Sequence, residues 1–222
     1  MAKKFKSNYF AGMIGTHDIT RANGTKYKIR NHRQRIFMPD EWMVFYDALN
    51  RRQKVTFHFL INTGARINEV RNICVQDIDF DRNSIILRWT KARNHDGSRR
   101  MRVLSISTQF TKWLKAVIKF YKLKPEDKFP ILCTPPANTA MKSALIKIGI
   151  PDYTMFSVHN VRKTLETWLI ALEIDSLKVS KHFGHSIMIA SKFYVSPDTF
   201  NYEDKKAIRG IIGDLYYHQQ RF

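Results

Sequence analysis

One block of this 222-residue chain carries β-rich patterns, and helical patterns bracket it on both sides. Val75 to Asp79, Ser84 to Trp89 and Arg100 to Ile106 are rich in β-branched and aromatic residues. The turn-forming runs Asp81-Arg82-Asn83 and Asn94-His95-Asp96-Gly97 separate them. Strands so close in sequence pair antiparallel. Three short strands make only a small sheet, so helices must bury the rest of the apolar side chains. The fold class this implies is α+β, mainly α, with a small three-stranded antiparallel sheet.

The helical patterns carry their own punctuation. Pro39-Asp40-Glu41 is a start signal in which Asp40 is expected to cap, and Trp42, Phe45, Tyr46 and Leu49 then recur at i, i+3, i+4, i+7 as a core stripe. A run from Val55 to Asn62 leads into Thr63-Gly64, and another helix begins near Ala65. Further helices are expected at about 109–123, at about 139–148 stopped by Gly149-Ile150-Pro151, at about 157–172, at about 176–183 stopped by Gly184, and at about 187–194. A last amphipathic segment, 199–217, aligns Ile208, Ile211, Ile212 and Leu215. That stripe either docks on a neighbouring protomer or folds back on its own core. There is no internal repeat.

Charge narrows the choice of partner. Thirty-eight Lys and Arg against 19 Asp and Glu leave a net charge of +19, which suits a polyanion: nucleic acid first, an anionic membrane surface second. Within residues 1–35, Lys3, Lys4, Lys6, Arg21, Lys26, Lys28, Arg30, Arg33 and Arg35 face a single acid, Asp18, as in a disordered basic arm or a small DNA-contacting element. No apolar run approaches the roughly 20 residues that span a bilayer, and no apolar stretch follows the basic start, so a cytoplasmic protein is expected. Cys74 and Cys133 make neither a disulfide framework nor a four-ligand metal site, and read as reduced small hydrophobes.

The chemistry-bearing residues fall into separate motifs. Thr63-Gly64-Ala65-Arg66 is followed by Glu69, which places Arg66 and Glu69 on one helical face. His159-Asn160-Val161-Arg162 puts a His and an Arg three residues apart, again on one face. Gly184-His185-Ser186 precedes Tyr194 by nine residues from the histidine. Taken singly, each has an ordinary reading: a surface ion pair, capped structural histidines, one packing tyrosine among nine. Taken together, they supply what cleavage of a phosphodiester without a metal demands. That is fixed positive charge on the non-bridging oxygens, an oxygen nucleophile and an acid for the leaving group. Arginine suits the first role because its planar fork binds two phosphate oxygens and stays charged.

In this order and spacing the motifs resemble the tyrosine recombinase (phage integrase) family, over roughly residues 40 to 200. The resemblance implies that Arg66 and Arg162 clamp the scissile phosphate and that Glu69 orients its neighbours. It implies that His159 donates a hydrogen bond or transfers a proton near the nucleophile, and that His185 donates to a phosphate oxygen. Lys91, directly after the second strand, would protonate the leaving 5′ oxygen. Tyr194 would be the nucleophile. Lys163 stands where many members have His. Arg93, Arg99, Arg100 and Lys163 would contact DNA. The segment from Arg162 to Leu169 looks closest to archaeal integrases, from a virus or mobile element.

The implied activity is site-specific recombination of double-stranded DNA through a 3′-phosphotyrosine. It would use no nucleotide cofactor and no metal, by a dimer or tetramer assembled on DNA, in a cytoplasmic, nucleoid-associated setting. The implied organisation is a basic arm (1–38), a catalytic domain (39–200) and a helical tail (201–222). The rival readings are a type IB topoisomerase using the same chemistry to relax DNA, and a non-catalytic basic nucleic-acid-binding protein.

Overall fold

The computed structural model describes residues 17–20, 26–29, 35–88, 90, 96–98, 100–184 and 200–217. The amino-terminal basic segment contains a two-stranded antiparallel hairpin, β1 (His17–Thr20) and β2 (Lys26–Ile29), with His17 opposite Ile29 and Thr20 opposite Lys26.

Residues 35–38 belong to the buried core. Although Arg35 was grouped by charge with the basic arm, its side chain is fully buried. It donates to Glu41 at 2.7 Å and to Asp152 at 2.6 Å. Ile36, Phe37 and Met38 are equally buried. The Phe37 amide donates to Thr164 Oγ1 at 3.0 Å, and Trp168 Nε1 donates to the Phe37 carbonyl at 3.1 Å.

Helix α1 (Pro39–Asp47) starts two residues earlier than a cap at Asp40 would require. Met38 is the cap position, and its amide is satisfied by the Glu41 carboxylate at 3.0 Å. Trp42, Phe45 and Leu49 bury as the stripe foretold. Helix α2 (Arg51–Thr63) is closed at its start by a reciprocal Asn50–Gln53 capping box. Nearly every residue from Val55 to Thr63 is buried, so α2 is the central helix and lies against α6. A short helix α3 (Ile67–Val70) follows.

The sheet has the order β3-β4-β5, all antiparallel: β3 (Ile78–Asp79), β4 (Ser84–Leu87) and β5 (Arg102–Ser105). Ile85 pairs with Leu104, and both are buried, whereas Val103 on the opposite face is exposed. The first strand is shorter than the β-rich pattern suggested. Val75–Asp77 coils into a 3₁₀ turn because the Asp77 carboxylate captures the Cys74 amide at 3.0 Å.

Helix α4 (Thr108–Tyr121) is capped by Ser107, whose Oγ accepts from the Phe110 amide at 3.1 Å. Helix α5 (Thr134–Lys147) begins five residues before the expected 139, with Pro135 and Pro136 in its first turn. Proline there removes no intrahelical bond, so the pair opens the helix instead of blocking it. Helices α6 (Val158–Ala171) and α7 (Ser176–Phe183) lie where their patterns placed them. In α8 (Tyr202–Ile212) the apolar stripe is spent within the chain: Ile208 and Ile212, with Leu215 beyond the helix, are buried, and α8 packs on α1 and α6. No helix among the described residues is long and apolar enough to cross a membrane.

Candidate active site

The site is built where the end of α2 meets the start of α6. Helix α2 stops at Gly64, which adopts the left-handed conformation (φ 56°). A Cβ at Gly64 would run into the ring of Phe183, so the position demands glycine both for its backbone and for its neighbour. This turn reverses the chain and presents Arg66 as the residue preceding α3.

Glu69, one turn on, is 3% exposed and serves three donors. It accepts from the Arg66 amide at 2.8 Å, from Arg66 Nη1 at 3.1 Å and from Arg102 Nη2 at 3.3 Å. The Arg66–Glu69 spacing therefore yields the expected ion pair, but with its carboxylate in the interior. The Arg66 side chain itself remains 43% exposed and open to a ligand.

Arg162 reaches the same place from α6. It is 5% exposed, with Nη1 donating to the Gly64 carbonyl at 2.7 Å and Nη2 donating to the Phe183 carbonyl. Those two bonds tie the α2 end, α6 and the α7 end together through one guanidinium. A guanidinium has five N–H donors, so Arg162 retains donors beyond this brace. Burial, then Arg66 and Arg102, lower its pKa to about 10, which leaves it charged at neutral pH.

His159, one turn earlier on α6, stands at the rim. Although the residue is solvent-accessible, partial desolvation followed by the cations Lys163, Arg162 and Arg66 lowers its pKa to about 4. At neutral pH it is an uncharged imidazole, with one donor and one acceptor. Arg66, His159 and Arg162 line one cavity of about 200 Å³, whose wall includes Thr134, Asn138 and Ser157. Asn138 fixes this wall by accepting from the Val158 amide at 2.9 Å, which anchors the start of α6 on α5.

Two groups in the floor of the site were absent from the sequence reading. Arg102 lies on β5 beside Glu69, 15% exposed. Its signal was the strand alternation: it shares a face with Leu104, which is buried. His182, 3% exposed, bridges the carboxyl-terminal segment to the Arg66 turn. Its Nε2 lies 2.9 Å from the Thr63 carbonyl and its Nδ1 2.7 Å from the Tyr216 hydroxyl. A carbonyl can only accept, so Nε2 carries the proton and Nδ1 accepts from the phenol. Burial first, then Arg102 and Arg162, push the His182 pKa down to about 3, and the ring is neutral. In sequence this histidine looked like any residue of the apolar-periodic α7.

Of the other residues named from sequence, Arg100 is exposed next to the hairpin and its carbonyl accepts from the Thr90 hydroxyl. Lys163 is half-buried beside His159. Lys91, Arg93, Arg99, His185 and Tyr194 lie outside the described residues. So does the helix expected at 187–194.

Two arginines and a neutral histidine around one cavity, in motif order along the chain, are matched by a family-wide pattern. The sequence profile of the phage integrase family fits residues 35–199. The chain belongs to this family. The match begins at Arg35, which is fully buried.

Among individual relatives of this integrase-family chain, the tyrosine recombinase XerA of Saccharolobus solfataricus (strain ATCC 35092 / DSM 1617 / JCM 11322 / P2) is 28% identical over 143 residues. The alignment covers 64% of this chain and 45% of XerA, so the chain spans less than half of that curated relative. Solved structures agree in fold. A crystal structure of XerA recombinase superposes with a TM-score of 0.57 at 16% identity, covering 79% of this chain and 64% of that one. The Tn1549 transposon integrase in complex with transposon right end DNA gives 0.60 at 17% identity, covering 80% and 65%. The XerH site-specific recombinase bound to its difH substrate, in a pre-cleavage complex, gives 0.55 at 13% identity, covering 90% and 60%.

Proposed function

We propose that this chain carries the catalytic machinery of a site-specific DNA recombinase or integrase, which cuts and rejoins duplex DNA through a 3′-phosphotyrosine. The observation that carries this reading is the convergence of Arg66, His159 and Arg162 on one cavity, with both arginines charged and the histidine neutral at pH 7. An anion held there meets preorganised donors that need no rearrangement as charge develops, which is the main lever on a phosphoryl-transfer barrier.

In this scheme Arg66 and Arg162 bind the non-bridging oxygens of the scissile phosphate, and Glu69 holds Arg66 in place. The Tyr194 oxygen forms a bond to phosphorus while the bond from phosphorus to the 5′ oxygen breaks. The phenol proton passes to neutral His159, Lys91 delivers a proton to the departing 5′ oxygen, and His185 donates to a phosphate oxygen. The phosphotyrosine ester conserves the bond energy, so attack by a 5′ hydroxyl reverses the step. Arg93, Arg99, Arg100 and Lys163 contact the DNA backbone, and the protein works as a dimer or tetramer on its sites. The net charge of +19 and the DNA held by the related Tn1549 integrase and XerH structures support a duplex DNA partner.

The test is incubation of wild type and Tyr194→Phe with nicked suicide duplexes labelled at the 5′ or 3′ end, in EDTA, followed by denaturing gels. The expected result is a covalent adduct on the 3′-phosphate side with wild type and none with Tyr194→Phe, at equal DNA binding. An adduct that persists in Tyr194→Phe overturns the assignment of the nucleophile. Absence of any adduct on DNA that the wild type binds overturns the enzymatic reading.

A further inference from the structure

Arg102 is costly where it stands. Its guanidinium is mostly buried, and its Nε is fully enclosed with no acceptor among the described residues. An enclosed polar group without a partner destabilises the fold. Its pKa is lowered chiefly by that burial, and Glu69 offsets the effect only in part. Replacing both members of such a buried pair by apolar side chains is often neutral, so the Arg102–Glu69 pair is weak evidence for a stabilising role. Stability therefore does not explain an arginine at this position.

Its contacts do. Arg102 Nη2 donates to Glu69, the carboxylate that also holds the Arg66 amide and guanidinium. Its Nη1 lies directly beneath Gly184: a Cβ built there would sit 2.5 Å from Nη1 and 3.4 Å from Arg102 Cδ. Gly184 closes α7 in the left-handed conformation (φ 66°), so the end of α7 lies against this guanidinium. The strand that carries Arg102 pairs with β4, with Leu87 opposite Arg102, and Lys91 follows four residues after Leu87. The Arg66 turn and the end of α7 thus meet at one side chain, on the strand that pairs with β4.

We propose that Arg102 is a positioning residue for strand cleavage, a brace that sets the Arg66 turn and the end of α7 at Gly184 in register with each other on the β4–β5 pair. It acts through Glu69 and through its packing under Gly184, without touching the scissile phosphate. The proposal rests on the recombinase reading above, and wild-type cleavage tests that reading separately.

The experiment measures single-turnover cleavage of a suicide duplex at saturating protein, alongside DNA affinity and thermal denaturation, for wild type, Arg102→Met and Arg102→Lys. Met keeps the length and packing of the stem and removes the donors. Misplacement of reacting groups by about 1 Å is enough to cost about 100-fold in rate. Arg102→Met is therefore expected to slow cleavage by about that factor. Its Kd for DNA should stay within about threefold. Its Tm should fall, because Glu69 loses one donor while keeping the Arg66 amide and guanidinium. The protein should stay folded at the assay temperature, so the lost rate exceeds any lost folded fraction. Arg102→Lys, which restores a charge toward Glu69, should recover part of the rate.

Gly184→Ala, which forces the guanidinium aside, should slow the wild-type background by a larger factor than it slows Arg102→Met. Wild-type cleavage at an unchanged rate in Arg102→Met overturns the proposal. So does a fall in Tm that accounts for the lost rate, or equal effects of Gly184→Ala in the two backgrounds. Failure of wild type itself to cleave would instead strike the recombinase reading.

Discussion

Acid should weaken this fold through His182. The folded state holds the ring neutral, with its pKa pushed down to about 3 by burial, against an unfolded value near 6.5. As pH falls, the unfolded chain takes up the proton first. The neutral ring's contribution is therefore complete above pH 6.5 and is lost progressively between 6.5 and about 3.

Because about 3 lies two units below pH 5, the loss at pH 5 is governed almost wholly by the unfolded value. It comes to 1.5 pH units at 1.36 kcal/mol each, or about 2 kcal/mol. His58, whose burial lowers its pKa to about 4, adds a similar slope over most of the same range. The assay is urea unfolding at pH 7 and pH 5 for wild type and His182→Gln. Gln can donate to the Thr63 carbonyl and accept from Tyr216, but it does not titrate. It should cost about 1 kcal/mol at pH 7 and lower the pH 7-to-5 stability loss by about 2 kcal/mol. An identical pH dependence in the two proteins would refute the neutral, buried assignment of His182.

Two further predictions follow from the packing. Gly64→Ala combines a left-handed backbone with a Cβ inside the Phe183 ring edge, and should destabilise by about 3 kcal/mol, lowering Tm by roughly 10 °C in a calorimetric scan. Arg35→Met strands the fully buried Glu41 carboxylate and should cost about 3–5 kcal/mol in a denaturant titration, whereas Arg35→Met with Glu41→Gln should recover most of that loss. Equal instability of the single and double variants would mean that Arg35 contributes by packing on Phe156 and not by its charge.

Both Arg66 and Arg162 were legible because their identity and spacing are local. An Arg and a Glu at i, i+3, or a His and an Arg at i, i+3, share a helical face wherever the helix lies. The stripe Trp42, Phe45, Leu49 and the pairing of β4 with β5 were legible for the same reason: period and turn chemistry act over a few residues. Where local signals compete, the reading shifted by part of a turn. Pro135 and Pro136 open α5 five residues before the expected 139, and Asp77 turned the start of a strand pattern into a 3₁₀ turn. Arg35 reads as one more cation of a basic arm, since nothing local distinguishes a solvated arginine from one that meets Glu41 and Asp152, the latter 117 residues away.

By itself, then, the sequence determined the class of fold, the candidate phosphate-binding arginines and the strongly basic charge balance, each carried by composition or by spacings within one element. Only the tertiary structure decided that Glu69 is an interior hub, that His182 is a neutral bridge from Thr63 to Tyr216, and that Arg102 lies under Gly184. Glu69 and Arg102 are 33 residues apart, and His182 and Thr63 are 119 apart. Such contacts are set by how whole helices and the sheet pack together, and burial then fixes the charge state of each group by what that packing leaves within reach.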